Sequence, residues 1–142
     1  MYKLTKIGAD GAALSSDATD HQVVSVERDL LAHPLYVANA SPPEPVNWKD
    51  AAAWAEGLTI NGWVWRLATV EEAFLVCDHN RKGGVLDPAF FNQVALGWAW
   101  TSTQDPDDSG CARFVNLYGG DSNWYGQGYR EQALAVRASQ SV

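Results

Sequence analysis

Apolar and polar residues alternate through "MYKLTKI" (Met1–Ile7), which predicts a first strand ended by the turn residues of "GADG". Residues 8–22 are small, polar and turn-rich. "VVSVERDLLAHPLYVAN" then offers two β-rich runs, Val23–Glu27 and Leu35–Ala38, either side of a polar bend at Arg28-Asp29. "SPPEP" (Ser41–Pro45) continues neither a strand nor a helix. The period then becomes helical. Asn47 is placed as an N-cap, and Ala51, Ala52, Trp54, Ala55 and Leu58 form one apolar face of a helix from Trp48 to about Glu56, stopped at Gly57. Asn61-Gly62 predicts a tight turn and Trp63–Leu67 a short strand. "TVEE" predicts a capping box, Thr69 with Glu72, opening a second helix whose buried stripe is Val70, Ala73, Phe74 and Cys77. "LDPAFF" predicts a short helical turn capped by Asp87.

Beyond it the pattern is β again. Gly97–Thr103, Ala112–Tyr118 and Gln132–Ser139 are strand candidates, joined by "QDPDDSG" and by the long segment "GGDSNWYGQGYREQ". Strands, two helices and a β meander with long loops define an α+β fold, and no internal repeat or linker divides the 142 residues, so one domain over 1–142 is expected.

Composition narrows the function. A chain of this size buries about 68–70% of its unfolded surface and needs no metal or disulfide to fold. Seven tryptophans exceed what so small a domain hides, so some rings are expected at the surface. The net charge of −7 and scattered basic residues argue against nucleic acid. No apolar run reaches the ~20 residues of a membrane span, and "MYKLTKIGADG" lacks a signal-peptide core, so a cytoplasmic protein with two free cysteines, Cys77 and Cys111, is expected.

Four stretches resemble the Lcl C-terminal domain family. "GWVWRLATVEEAF" is similar to its "dWRLPT-x-x-EL" motif, "WAWTST" to its "yWTST" strand, "ARFVNLYGGD" to its "a-x-v-v-n-f-x-d-G" strand, and "LAVRAS" to its closing "vRpVR". The match covers roughly residues 46–138, with residues 1–45 as N-terminal strands of the same domain. Ala68 stands where the family has proline. The resemblance implies a C-type-lectin-like fold related to the formylglycine-generating-enzyme group. It gives structural roles to Trp65, Arg66, Thr69, Glu72, Trp100, Ser102 and Arg137. Family members look like binding modules: some sit at adhesin tips and engage sulfated polysaccharides, others are variable proteins of diversity-generating retroelements, and short intracellular versions occur in phages and prophages.

Catalytic constellations are missing. His21, His33 and His79 are isolated, no zinc spacing or nucleophile motif occurs, and neither cysteine matches the reactive pair of the formylglycine relatives. "DPDD" (Asp105–Asp108) reads as a turn rather than a calcium loop, since lectin "EPN", "QPD" and "WND" motifs are lacking. Arg66 reads as a partly buried arginine held by a carboxylate and carbonyls. No cofactor and no metal are expected. The segment 119–131 is different. Trp124, Tyr125 and Tyr129 give stiff, half-polar contact area; Asp121, Ser122, Asn123, Gln127 and Arg130 give directional hydrogen bonds; glycines let a loop reshape. The expectation is a non-enzymatic recognition module, phage- or prophage-encoded, that binds a protein or glycan through this loop with exposed rings near Trp98. The alternative is an intracellular phage inhibitor or regulator of a host protein, acting through acidic and aromatic surface. Association with the virion is compatible with either.

Overall fold

The structure, a computed structural model, describes residues 1–138. Nine strands and two helices run in the order β1 (Tyr2–Ile7), β2 (Val23–Arg28), β3 (Leu35–Ala38), α1 (Trp48–Glu56), β4 (Trp65–Leu67), α2 (Val70–Val76), β5 (Trp98–Gln104), β6 (Cys111–Asn116), β7 (Ser122–Gly126), β8 (Gln132–Ala133) and β9 (Ala135–Arg137). They form two sheets, β1-β2-β3-β9-β4 and β7-β6-β5-β8. All pairs are antiparallel except β5 with β8. The fold is therefore a small α+β fold.

Two cores divide the buried side chains. One gathers Val24, Val26, Val37 and Val136 with Ala73 and Val76 of α2. The other gathers Trp65, Leu67, Trp100 and Phe114 with Ala51 and Ala55 of α1. Val23–Val26 are all buried because successive side chains of β2 turn to opposite sides, Val23 into one core and Val24 and Val26 into the other, so burial runs through the strand without alternating, with Ser25 as its one polar member. The two fully buried alanines of α1 let its backbone approach the Trp65 and Trp100 rings.

The helix starts follow local chemistry. Asn47 Oδ1 accepts the Asp50 N–H at 2.9 Å, and Thr69 and Glu72 exchange side-chain-to-backbone bonds at both ends of the predicted capping box. Helix α2 is shorter than its apolar stripe. Cys77 leaves it in an extended conformation, Val76 takes a fully buried place, and Phe74 is only half-buried.

Asp87–Phe91 forms the expected single helical turn, with Asp87 Oδ1 accepting the Ala89 N–H and Asp87 O the Phe91 N–H. Two expectations need correction. Gln132–Ser139 is not one strand: β8 belongs to the second sheet and β9 to the first, with Leu134 at the crossing. Burial on both sides of this run removed the alternation that would have revealed the break, and Ser139 lies outside the described residues. The segment 119–131 is not a loop throughout, because its middle is β7, the edge strand of the second sheet.

The N-terminal segment is held by buried polar contacts. Lys6 is 3% exposed, and its ammonium donates to the carbonyls of Ser16 and Ala18 and faces the Phe90 ring at 5.3 Å. Residues 15–18 thus wrap a charge that no carboxylate neutralises among the described residues.

Candidate functional site

Strand β7 pairs with β6 in the register Val115↔Ser122, Phe114↔Asn123, Arg113↔Trp124, Ala112↔Tyr125 and Cys111↔Gly126. Its side chains alternate across the sheet. Asn123 and Tyr125 share the face of Phe114, Trp100 and Trp98. Ser122 and Trp124 share the face of Arg113 and Val115. The residues expected on one recognition surface therefore occupy two surfaces.

The first surface is aromatic. Trp98 stacks on Phe114 with ring centroids 4.6 Å apart, Phe114 meets Tyr125 edge-on at 4.9 Å, and Tyr125 meets Tyr129 at 4.9 Å. Phe114 is 1% exposed, whereas Tyr125 and Tyr129 are 44% and 58% exposed. The contacts thus run from the core out to two solvent-facing rings. Each ring is held by the one behind it, which keeps the rotamer entropy lost on binding small. Trp98, expected to be among exposed rings, is half-buried on Phe114.

On the second surface the Arg113 guanidinium lies 4.1 Å from the Trp124 ring centroid and donates to Ser122 Oγ at 3.3 Å. Ser122 Oγ in turn donates to Phe114 O. Trp124 is half-buried under this stack and is not the freely exposed ring expected from sequence.

The flanks are fixed rather than adaptable. Val46 and Glu131 exchange both backbone bonds, and Trp48 N–H donates to Gln127 O, so residues 127–131 are sewn to the entrance of α1. Gln127 also donates from its side chain to Ser109 O and from its backbone to Gly110 O, fastening β7 to the β5–β6 hairpin. Gly120 has φ +82°, and a Cβ there would lie 2.6 Å from His79 Nε2. That glycine serves close packing and does not let the segment reshape. Asp121, Tyr129 and Arg130 are exposed, and burial pushes the Glu131 carboxyl above its ordinary value.

The other singled-out residues lie away from this strand. Arg66 makes two bonds to Glu72, at 2.6 and 2.8 Å, and one to Leu67 O. Trp65 and Trp100 are buried and donate their indole N–H groups to Ile60 O and Val46 O. The Arg137 guanidinium lies 4.0 Å from the Trp63 ring centroid. Ser102 is exposed, with its N–H on Ala68 O. Asp105 and Asp108 use one oxygen each to accept the Asp107 and Gly110 N–H groups, as turn aspartates do. His21 and His79 hydrogen-bond the carbonyls of Phe90 and Gly120. Cys77 is buried, and burial pushes its thiol up to about 12, so at neutral pH it is no nucleophile.

Sequence reasoning missed the approach of the 105–110 hairpin to the end of β7. No local signal marks it, because the contact is made by Gln127 with residues more than a dozen positions away.

Two sheets, two short helices and an edge strand bearing ordered aromatic rings define a small α+β domain with a presented face. The model of the Lcl C-terminal domain matches residues 25–138, and the chain belongs to that family. No curated protein matches it. The match begins within β2, so β1 and the segment wrapped around Lys6 lie outside it.

Proposed function

We propose that the protein is a non-enzymatic recognition module that binds a protein or glycan ligand through the face of β7 carrying Asn123 and Tyr125, with Tyr129 of the following turn packed on Tyr125. One observation carries this reading: two exposed tyrosines are locked to the core through Phe114. Exposed rings scattered singly need no explanation, but two in contact and buttressed from behind form a preorganised contact surface. Membership of the Lcl C-terminal domain family supports an adhesin-like binding role and the lectin-like fold expected from it. The histidines bonded to carbonyls and the thiol suppressed by burial support a role without catalysis. A phage or prophage origin, a cytoplasmic or virion-associated location and the independence from nucleic acid and membrane belong to the same proposal.

A second reading is favoured by the acidic surface. The protein would act inside the cell as a phage inhibitor or regulator of a host protein, using the same face. Both readings are tested by presenting wild-type protein and the variant Tyr125→Ala/Tyr129→Ala to a glycan array and to bacterial lysate. A ligand retained by the wild type and lost by a folded variant is the expected result. A glycan ligand selects the adhesin-like reading, and a host protein selects the second. Ligands held equally by both forms would remove this face from consideration.

A further inference from the structure

The outer edge of β7 is open. In the β6–β7 ladder Asn116 N–H donates to Asp121 O and Gln127 N–H to Gly110 O, at the two ends of one register. Facing pairs of an antiparallel ladder are hydrogen-bonded alternately. Asn123 and Tyr125 therefore turn their backbone groups to β6, whereas Ser122, Trp124 and Gly126 turn theirs away from it. β7 ends its sheet, with no strand paired on that side among the described residues. Two of the outward groups are satisfied locally: Trp124 N–H donates to Asn123 Oδ1, and Gly126 O accepts the Tyr129 N–H. The Ser122 N–H and C=O, the Trp124 C=O and the Gly126 N–H have no partner among the described residues. Edge strands are ordinarily shielded by a lysine, a proline or a bulge. "SNWYG" has no charge and no proline, and its register with β6 is unbroken.

Open groups that recur at every second residue, roughly 6.5–7 Å apart, match the repeat of an extended polypeptide backbone. Sugar hydroxyls have no such repeat. A second copy of this chain fits less well. Pairing two β7 edges antiparallel about Trp124 would call on the Trp124 N–H and Gly126 C=O groups, which are already engaged, and would leave only the bonds from Gly126 N–H to Ser122 C=O. A foreign strand brings a partner for every open group. We infer that the protein takes an extended segment of another protein as an added strand on the outer edge of β7. Side chains of that segment alternate between the face of Tyr125 and the face of Trp124. The inference rests on the reading of the protein as a recognition module with its site on β7, and it names the partner as a protein bound through its backbone.

The test selects binders from a displayed library of random linear peptides, titrates them by fluorescence anisotropy and follows amide exchange by NMR. In the free protein the Asn123, Tyr125 and Gln127 amides should be protected, and those of Ser122 and Gly126 should exchange fast. A bound peptide should protect Ser122 and Gly126. Methylating the peptide's backbone nitrogens one at a time should weaken binding at every second position only. Gly126→Pro removes an outward N–H, which an edge strand tolerates. Gly126→Ala keeps that N–H and adds a Cβ in ordinary contact with the Tyr129 ring, 3.6 Å away. The proline form should bind about tenfold more weakly than the alanine form. A melt verifies that both fold; if the proline form does not, the amide and methylation readouts decide. The inference is overturned if no peptide is selected, if bound peptides leave the Ser122 and Gly126 amides unprotected, or if methylation shows no period of two. Protection of those amides that rises with the protein's own concentration would make a second copy the occupant and overturn it as well. If no peptide is selected and a glycan depends on the tyrosines, this inference fails and the tyrosine face stands. If peptides pair with the edge and bind Tyr125→Ala/Tyr129→Ala equally well, the inference stands and the tyrosine face falls.

Discussion

Replacing Glu72 with glutamine tests the corner where β4 turns into α2. Both Glu72 oxygens receive Arg66, and Oε1 also accepts the Thr69 N–H at 2.9 Å. Glutamine keeps an oxygen for Thr69 and removes the charge facing Arg66. A hydrogen bond to a charged group contributes about 1.5–3 kcal/mol, whereas solvent-exposed ion pairs contribute about 0–1 kcal/mol. The Arg66 and Glu72 side chains are 34% and 20% exposed, between those cases, so a loss of about 1–1.5 kcal/mol at neutral pH is expected. The pH dependence is more diagnostic. Burial pushes the Glu72 carboxyl up, but the bonds from Arg66 and Thr69 outweigh it and hold the carboxyl below its ordinary value. An unfolded glutamate titrates near 4.3. A carboxyl depressed by folding contributes stability that is fully present above that pH and is lost as pH falls through the lower, folded value. Glutamine has no such term. Urea unfolding followed by tryptophan fluorescence should show wild type and variant furthest apart at neutral pH. The gap should close as the pH drops below about 4. A gap that stays constant with pH would refute the ion-pair account, leaving only a packing difference.

Other outcomes follow from single contacts. Thr69→Ala should shift the urea midpoint by the equivalent of about 1 kcal/mol, because Oγ1 no longer accepts the Glu72 N–H; an unchanged midpoint would mean that the cap is dispensable. Lys6→Met should cost about 2 kcal/mol and speed amide exchange across residues 14–18, since the Ser16 and Ala18 carbonyls lose their buried donor. In native protein Cys111, half-buried, should react with a thiol reagent while Cys77 reacts only after unfolding; burial and the Asp108 and Asp105 carboxylates push the Cys111 thiol up and slow it. Trp124→Ala should lower stability by about 1–2 kcal/mol through the lost Arg113 stack, and should leave ligand capture at the tyrosine face intact.

What was legible in the sequence was what short-range chemistry decides. Asn47 and Thr69 mark their helices because an N-cap satisfies amides two or three residues away, so the signal is contained in four letters. The strands Val23–Arg28 and Leu35–Ala38 are visible because β-branched and aromatic residues cluster there. The crossing at Leu134 is not, since it depends on β8 meeting β5 and β9 meeting β3 and β4, all remote in sequence. Lys6 was equally opaque. A lysine within an alternating strand reads as a solvated side chain, and nothing nearby announces that residues 15–18 will fold over it.

The candidate site shows how composition can identify contact area and still misplace it. Trp124 and Tyr125 are neighbours in sequence, and both are aromatic, so the segment lacks the polar-apolar alternation that normally reveals a strand. Once β7 pairs with β6, a period of two sends the indole to Arg113 and the phenol to Phe114. One surface becomes two, with different partners. The indole face is spent on a cation of the same chain. The other side leaves two phenol rings, Tyr125 and Tyr129, facing solvent in contact with each other. An edge strand paired on one flank can hold such a row in register without burying it. The same rings on a free loop would lose that order, and with it the reason to expect tight binding from so few residues.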